Sequence, residues 1–345
     1  MIGNRAKIAK LLIMVTAIIF FIGCAAQQRL EDENREEGPG QDQNQISQIS
    51  EEKVSKPPLP KSLGVKEGEE PRLKVYIHEE DQIREMAFEE YVAGVVGGEI
   101  KNAWPEAAIK AQAIIARTFV LQFISEKGES KYKGAHISTD IEEAQAWGEA
   151  EVNDRIRKAV NDTRGQVITY KGEFARTWFH SNAAGMTATA KEGLNYKYEN
   201  PPYIKPVKSP DVLDEVPEDE RQWSVVFSKE EVIAALNKLG VSLDDFSSVS
   251  IGEKGPSGRA LYIVFDGKPV SAPELRIALD STKLKSTLLD DVSVDGNQVV
   301  FKGRGYGHGV GMSQWGAYSM AQNGKKAEDI ISYYFPGVDI VKRWD

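Results

Sequence analysis

Residues 303–311 read GRGYGHGVG, with glycine at every second position. In extended backbone, odd and even side chains face opposite ways. One face of such a ribbon would be bare, and the other would carry Arg304, Tyr306, His308 and Val310. A bare face lets a second backbone, or a sugar ring, lie against it. The stretch is not a nucleotide loop, since neither GxGxxG nor GxxxxGK[ST] can be read in it.

The rest of the chain narrows the partners. Across its 345 residues the net charge is −9, and no basic stripe is long enough for a polyphosphate backbone, which argues against nucleic acid. Four histidines and one cysteine, without HExxH, HxxxH or CxxC spacing, support no metal site. At the N-terminus Arg5, Lys7 and Lys10 precede an apolar run from Leu11 to Ile22 and then Gly23-Cys24. The run is shorter than the ~20 residues of a spanning helix and reads as an export signal. "FIGC" resembles a lipobox, with Cys24 as the lipidated residue; an uncleaved helical anchor is the alternative. Either way residues 1–24 fix the protein to the membrane, with the remainder on the extracytoplasmic side. Residues 25–71, rich in Gln, Glu, Asn and Pro, are expected to be a disordered tether spanning roughly 35–40 Å.

Residues 72–345 read as α+β. "RLKVYIHE" alternates like a strand, and "MAFEEYVAGVVGGEI" has helical period. "WPEAAIKAQAIIARTFVLQFISEKG" carries Pro105 at its start, Glu106 four residues before Lys110, and Gly128 to end it. "GQVITYKGEFARTWFHSN" reads as two strands joined at Lys171-Gly172. Residues 223–289, containing the helix "SKEEVIAALNKLG" and the strand "RALYIVF", are expected to form a smaller inserted subdomain in a core made of 72–222 and 290–345.

Several residues could do chemistry. Glu99 lies about 20° from the centre of its helix's apolar stripe. A carboxyl there would be partly desolvated and its pKa raised, which suits a general acid; if the helix stops near Gly97, Glu99 points to water. His180, Ser181 and Asn182 end a strand, where they either line a cleft or cap the next turn. Ser181 lacks a GxSxG elbow, so a serine triad is weak. Arg117 sits among apolar residues and needs an anionic partner, for which Glu99 is a candidate. Trp104, Trp147, Trp178 and Trp315 belong either to the core or to a sugar-stacking surface.

Four stretches, "EEYVAGVVGGEI", "AAIKAQAIIARTF", "FHSNAAGMT" and "GRGYGHGVGMSQWGAYSMAQNGKKAEDIISYYFPG", together resemble the stage II sporulation protein D (SpoIID/LytB) family. The resemblance implies an exported lytic transglycosylase. Such an enzyme cuts peptidoglycan between N-acetylmuramic acid and N-acetylglucosamine and leaves 1,6-anhydro ends. Family members act in sporulation, on strands stripped of stem peptides by an amidase partner, and with other engulfment proteins. The family's catalytic glutamate maps to Glu99. Arg117, His180, Ser181, Asn182, Tyr306, His308, Ser313 and Gln314 are then expected to bind substrate, with no cofactor. "GAHISTDIEEAQAW" keeps His136 but lacks the cysteine of zinc-holding members, so no structural zinc is expected. Cys24 and the "GGE" before residue 100 leave open a paralogue working elsewhere in the wall. The alternative activity is a non-catalytic, wall-binding modifier of an amidase.

Overall fold

The computed structural model describes residues 56–345, so Cys24 and the signal segment lie outside the described residues. Order starts earlier than the expected residue 72. Leu63 is buried, Gly68 bridges Trp344, and Glu70 accepts the Glu89 N–H and pairs with Arg164. A polar segment without a core of its own is held here by the last residues of the chain.

Strands β1 (Arg72–Ile77) and β2 (Gln82–Ala87) form a hairpin, with Arg72 opposite Ala87. Helix α1 (Phe88–Glu99) follows directly, and Met86 and Ala87, which the helical period included, belong to β2. Helix α2 (Glu106–Lys127) has the expected signals: Pro105 at the N-cap, a Glu106–Lys110 pair at 2.7 Å and Gly128 at φ 82°. It is long and apolar enough to span a membrane, but it is buried on nearly every side. A helix apolar all round belongs at the centre of a core.

Around it pack α1, α3 (Asp154–Asp162), β4 (Gln166–Tyr170) and two C-terminal helices, while β3 (Ile137–Ser138) extends the β1 sheet. The turn at Lys171-Gly172 has positive φ at both positions (51° and 81°), as a tight hairpin demands, and leads into β5 (Glu173–Phe174). The expected long second strand stops there. Phe179 and His180 form β6, which belongs to another sheet.

After α4 (Ala190–Leu194) and α5 (Glu218–Arg221), a second hydrophobic core runs from Trp223 to Phe301. It contains β7 (Trp223–Ser228), α6 (Lys229–Lys238) with a Ser228/Glu231 capping box, β8 (Val249–Ile251), β9 (Tyr262–Phe265), β10 (Lys268–Ser271) and α7 (Ala272–Leu279). β11 (Leu289–Asp295) and β12 (Gln298–Gly303) pair with each other and β12 with β7, so this core reaches beyond residue 289. The chain returns through β13 (Met312–Ser313), α8 (Gln314–Gln322), α9 (Ala327–Tyr334) and β14 (Asp339–Lys342). β13 runs parallel to β6, and β14 runs antiparallel to β4.

The two cores are joined by buried polar groups. Glu192 accepts the Ser257 N–H (2.9 Å), and Arg259 donates to the carbonyls of Ala183 (3.0 Å) and Met186 (2.8 Å). Each partner belongs to a different core, so their relative position is fixed by directional bonds.

Candidate active site

The alternating glycines are not an extended ribbon with a bare face. Gly305, Gly307, Gly309 and Gly311 have φ of 77°, 103°, 83° and 71°, a region that side chains with a Cβ avoid. At each of these turns the backbone changes partner. Gly305 N–H donates to Glu220, Tyr306 N–H to Asn182, Gly307 N–H to Lys285, and Met312 N–H to Trp178. Added Cβ atoms would meet Asn182 O at Gly305, His180 Cβ at Gly307, the Arg259 guanidinium at Gly309 and Trp178 O at Gly311. The glycines therefore press the 304–312 segment against residues 178–182 and the second core, and protein rather than sugar fills the space beside them.

This packing creates a cleft of about 550 Å³. Its walls are Gly98 and Glu99 from the end of α1, Phe119, Ile141, Ala144 and Gln145, residues 178–181, Tyr306 to His308, Gln314, and Arg276, Ser281 and Thr282 from the second core. Glu99 is the only carboxylate among them.

Helix α1 does run through Gly97 and Gly98 to Glu99, and the side chain is partly buried. The two glycines explain how. A Cβ on Gly98 would lie 2.8 Å from the Ala146 and Trp147 backbone, so the bare helix end admits the 146–148 loop. That loop brings the Ala146 N–H to Glu99 Oε1 at 2.7 Å. Gln314 donates to the Glu99 carbonyl (3.0 Å) and fixes the helix end against α8. Burial raises the Glu99 pKa to about 7, against the smaller lowering effect of the Ala146 N–H and Gln314. The group is thus divided between acid and base near neutral pH.

The two histidines face each other, with ring centroids 5.7 Å apart. His308 Nδ1 accepts the Val310 N–H (3.0 Å), which leaves its proton on Nε2. Burial, together with the charges of Arg276 and Arg259, pulls its pKa to about 3, so it is a neutral donor. His180 Nδ1 lies 3.2 Å from the Val310 carbonyl and so carries the proton, which makes Nε2 an acceptor. That Nε2 is buried without a partner, as are Nε2 and Oε1 of Gln145. Buried polar atoms on a cleft wall take ordered water or a ligand group as partner.

Other expected site residues serve the frame. Arg117 is fully buried, but its carboxylate is Glu89, not Glu99. Nη2 and Nε reach Glu89 at 2.6 and 3.0 Å, other contacts go to backbone carbonyls, and the side chain does not line the cleft. Asn182 also stays outside the cleft, its Oδ1 accepting the Ala184 N–H (2.8 Å) as a turn cap. Ser313 is fully buried; it donates to Asp211 (2.5 Å) and caps α8 through the Gly316 N–H. Ser181 lines the cleft, but its hydroxyl donates to Glu220 (2.6 Å) and not to a histidine, so the serine–histidine pair of a hydrolase triad is not formed. Trp104 and Trp315 pack together in the core, while Trp178 reaches the cleft.

Sequence reasoning missed Gln145, Arg276 and Asp211. Asp211 accepts from Ala183 N, Gly185 N, Ser209 and Ser313, and so shapes the turn behind His180. No local motif marks any of the three. Among the described residues no group of three or more His, Cys, Asp or Glu side chains is arranged to hold a metal.

Comparison with known proteins now has a geometry to refer to. Residues 76–170, which include Glu99, match the family described as SpoIID, Stage II sporulation protein, and residues 199–311 match a domain of unknown function (DUF8618). Stage II sporulation protein D of Bacillus subtilis is 30% identical over 303 residues, spanning 83% of this chain and 84% of that protein. The chain belongs to the stage II sporulation protein D family. An uncharacterized protein of Brachyspira hyodysenteriae is also 30% identical, over 75% of this chain and 68% of its own length. The amidase enhancer of Bacillus subtilis is 27% identical over 72% of this chain but only 40% of its own length. Within this family member, both the helix ending at Glu99 and part of the glycine segment fall inside matched regions.

Proposed function

We propose that the cleft holds a glycan strand of bacterial peptidoglycan and that Glu99 is the single acid/base of a lytic transglycosylase. The observation that carries this reading is a lone carboxyl with a pKa near 7 on the wall of a cleft. Glycosidases that use water need two carboxylates. A transglycosylase needs one, because the substrate supplies its own nucleophile.

Protonated Glu99 gives its proton to the glycosidic oxygen between N-acetylmuramic acid and N-acetylglucosamine, and the C1–O bond breaks. The C6 hydroxyl of the same muramic ring closes on C1 and returns its proton to Glu99. A 1,6-anhydro end results and no water is consumed. The His308 Nε2–H, the His180 Nε2 acceptor and the Gln145 amide would orient sugar hydroxyl and N-acetyl groups, and Trp178 and Tyr306 would stack on the rings. The segment from Arg5 to Cys24 would hold the protein on the outer face of the membrane, by lipid or helix.

A second reading is a wall-binding modifier of an amidase. The relatives' names favour it, since one is an amidase enhancer and none names a cleavage reaction. Both readings share the glycan in the cleft and differ only at Glu99. The test is digestion of peptide-free glycan by the full chain and by Glu99→Gln, read by mass spectrometry. Cleavage predicts anhydro-muramic ends with the wild-type protein alone. If the wild type produces none, while raising the activity of an added amidase, the modifier reading replaces it.

A further inference from the structure

Arg276 is 8% exposed and lines the cleft from α7 of the second core. Its Nε donates to the Lys285 carbonyl (3.1 Å) and its Nη2 to the Ser281 carbonyl (2.9 Å). Among the described residues it forms no salt bridge. The three other arginines most comparable in burial do have a charge to answer. Arg117 is paired with Glu89, Arg343 lies 3.7 Å from Glu67, and Arg259 stands in the field of Glu192 and Asp211. For Arg276 the one favourable electrostatic neighbour is the Tyr306 hydroxyl, a neutral group that itself lines the cleft; burial lowers the Arg276 pKa to about 10, so it stays a cation. Removing a guanidinium from water without an anion is costly. Here the cost is carried on a wall that a ligand would touch.

We infer that Arg276 is a specificity residue that receives a carboxylate of the sugar chain bound in the cleft. This rests on the glycan reading above and deepens it. A muramic acid residue carries a lactyl ether whose carboxyl is an anion when free and a neutral amide when a peptide is attached. A preference for peptide-free strands is what the family resemblance already implies. The new element is the charge that reads it and the source of that charge, the second core rather than the helix that holds Glu99. The neutral histidines beside Arg276 fit this arrangement, because they add hydrogen bonds without adding a competing charge.

The two carbonyl bonds also brace the 281–285 loop, so the experiment must separate recognition from bracing. Full-length protein carrying Glu99→Gln, to prevent turnover, is titrated with peptide-free glycan oligomers and with the same oligomers converted to the lactyl carboxamide. The carboxylate form should bind about 10- to 100-fold more tightly, as a charge-assisted hydrogen bond is worth. In Arg276→Met this difference should vanish, with the loss falling mainly on the carboxylate oligomer, and Arg276→Lys should keep part of it. Equal binding of both oligomers by the unsubstituted arginine overturns the inference and leaves the glycan reading intact. So does a difference that survives Arg276→Met, or a loss on both oligomers alike, which is what bracing alone predicts. Binding of neither oligomer overturns the glycan reading and this inference with it.

Discussion

Glu89 and Glu99 lie on the same helix, ten residues apart in the numbering, and both are shielded from water. Glu89 accepts from Arg117, from the Gly165 N–H (3.0 Å) and from Trp344 Nε1 (2.9 Å). The Glu99 carboxyl has only neutral partners, the Ala146 N–H (2.7 Å) and the Gln314 amide, and no cation among the described residues. Burial with full satisfaction makes a carboxylate into a structural joint, tying α1 to α2, β4 and the C-terminus. Burial with partial satisfaction leaves a carboxyl whose protonation is undecided near neutral pH. Partner count, more than burial, separates the two roles.

The largest effect that sharpens this contrast is at Glu99. Glu99→Gln should reduce anhydro-end formation about 100-fold or more, the range of general acid/base catalysis, while the protein stays folded. In the wild type the rate should fall as pH rises above about 7, since the acid form is then lost. A variant with near-normal rates would break the assignment.

Glu89→Gln should act in the opposite way. It leaves Arg117 buried without its carboxylate and should cost about 3–5 kcal/mol in urea unfolding. At temperatures where it remains folded, turnover should be close to wild type. A stable but inactive Glu89→Gln protein would show that the two carboxyls are not separable.

A third prediction concerns pH and stability. Glu99 titrates near 7 in the folded protein and near 4.5 when unfolded. Between those values the folded state keeps a proton that the unfolded state has released, so stability falls as pH rises through this window. Glu99→Gln removes that loss. It should match the wild type at pH 4 and exceed it by about 1–3 kcal/mol at pH 8 in paired denaturation curves. The smallest effect belongs to Ser181→Ala, which loses the bond to Glu220 and should change turnover by less than about tenfold. Abolished activity there would revive a nucleophilic serine.

The helices were legible where local chemistry sets them. Pro105 and Gly128 bound α2, and Ser228 with Glu231 starts α6. Helical period put position 99 near the apolar stripe of α1 but left open whether the helix stopped at Gly97; the family motif singled the residue out, and the helix does reach it. The glycine segment misled for a physical reason. Alternation fits extended backbone, but it equally fits a chain that enters left-handed φ at every second residue, and only the neighbours decide between them. Arg117 misled too, since its burial could be read from the sequence while the choice between Glu89 and Glu99 depends on how α1 lies across α2.

By itself, then, the sequence determined the α+β class and the family and pointed to a glutamate that lines the cleft, because these follow from periodicity, caps and a long specific motif. Tertiary structure alone decided which polar groups share the cleft with that residue. Gln145, Arg276 and the histidine pair come from four separated parts of the chain, and their tautomers and charges depend on burial, which no local pattern encodes.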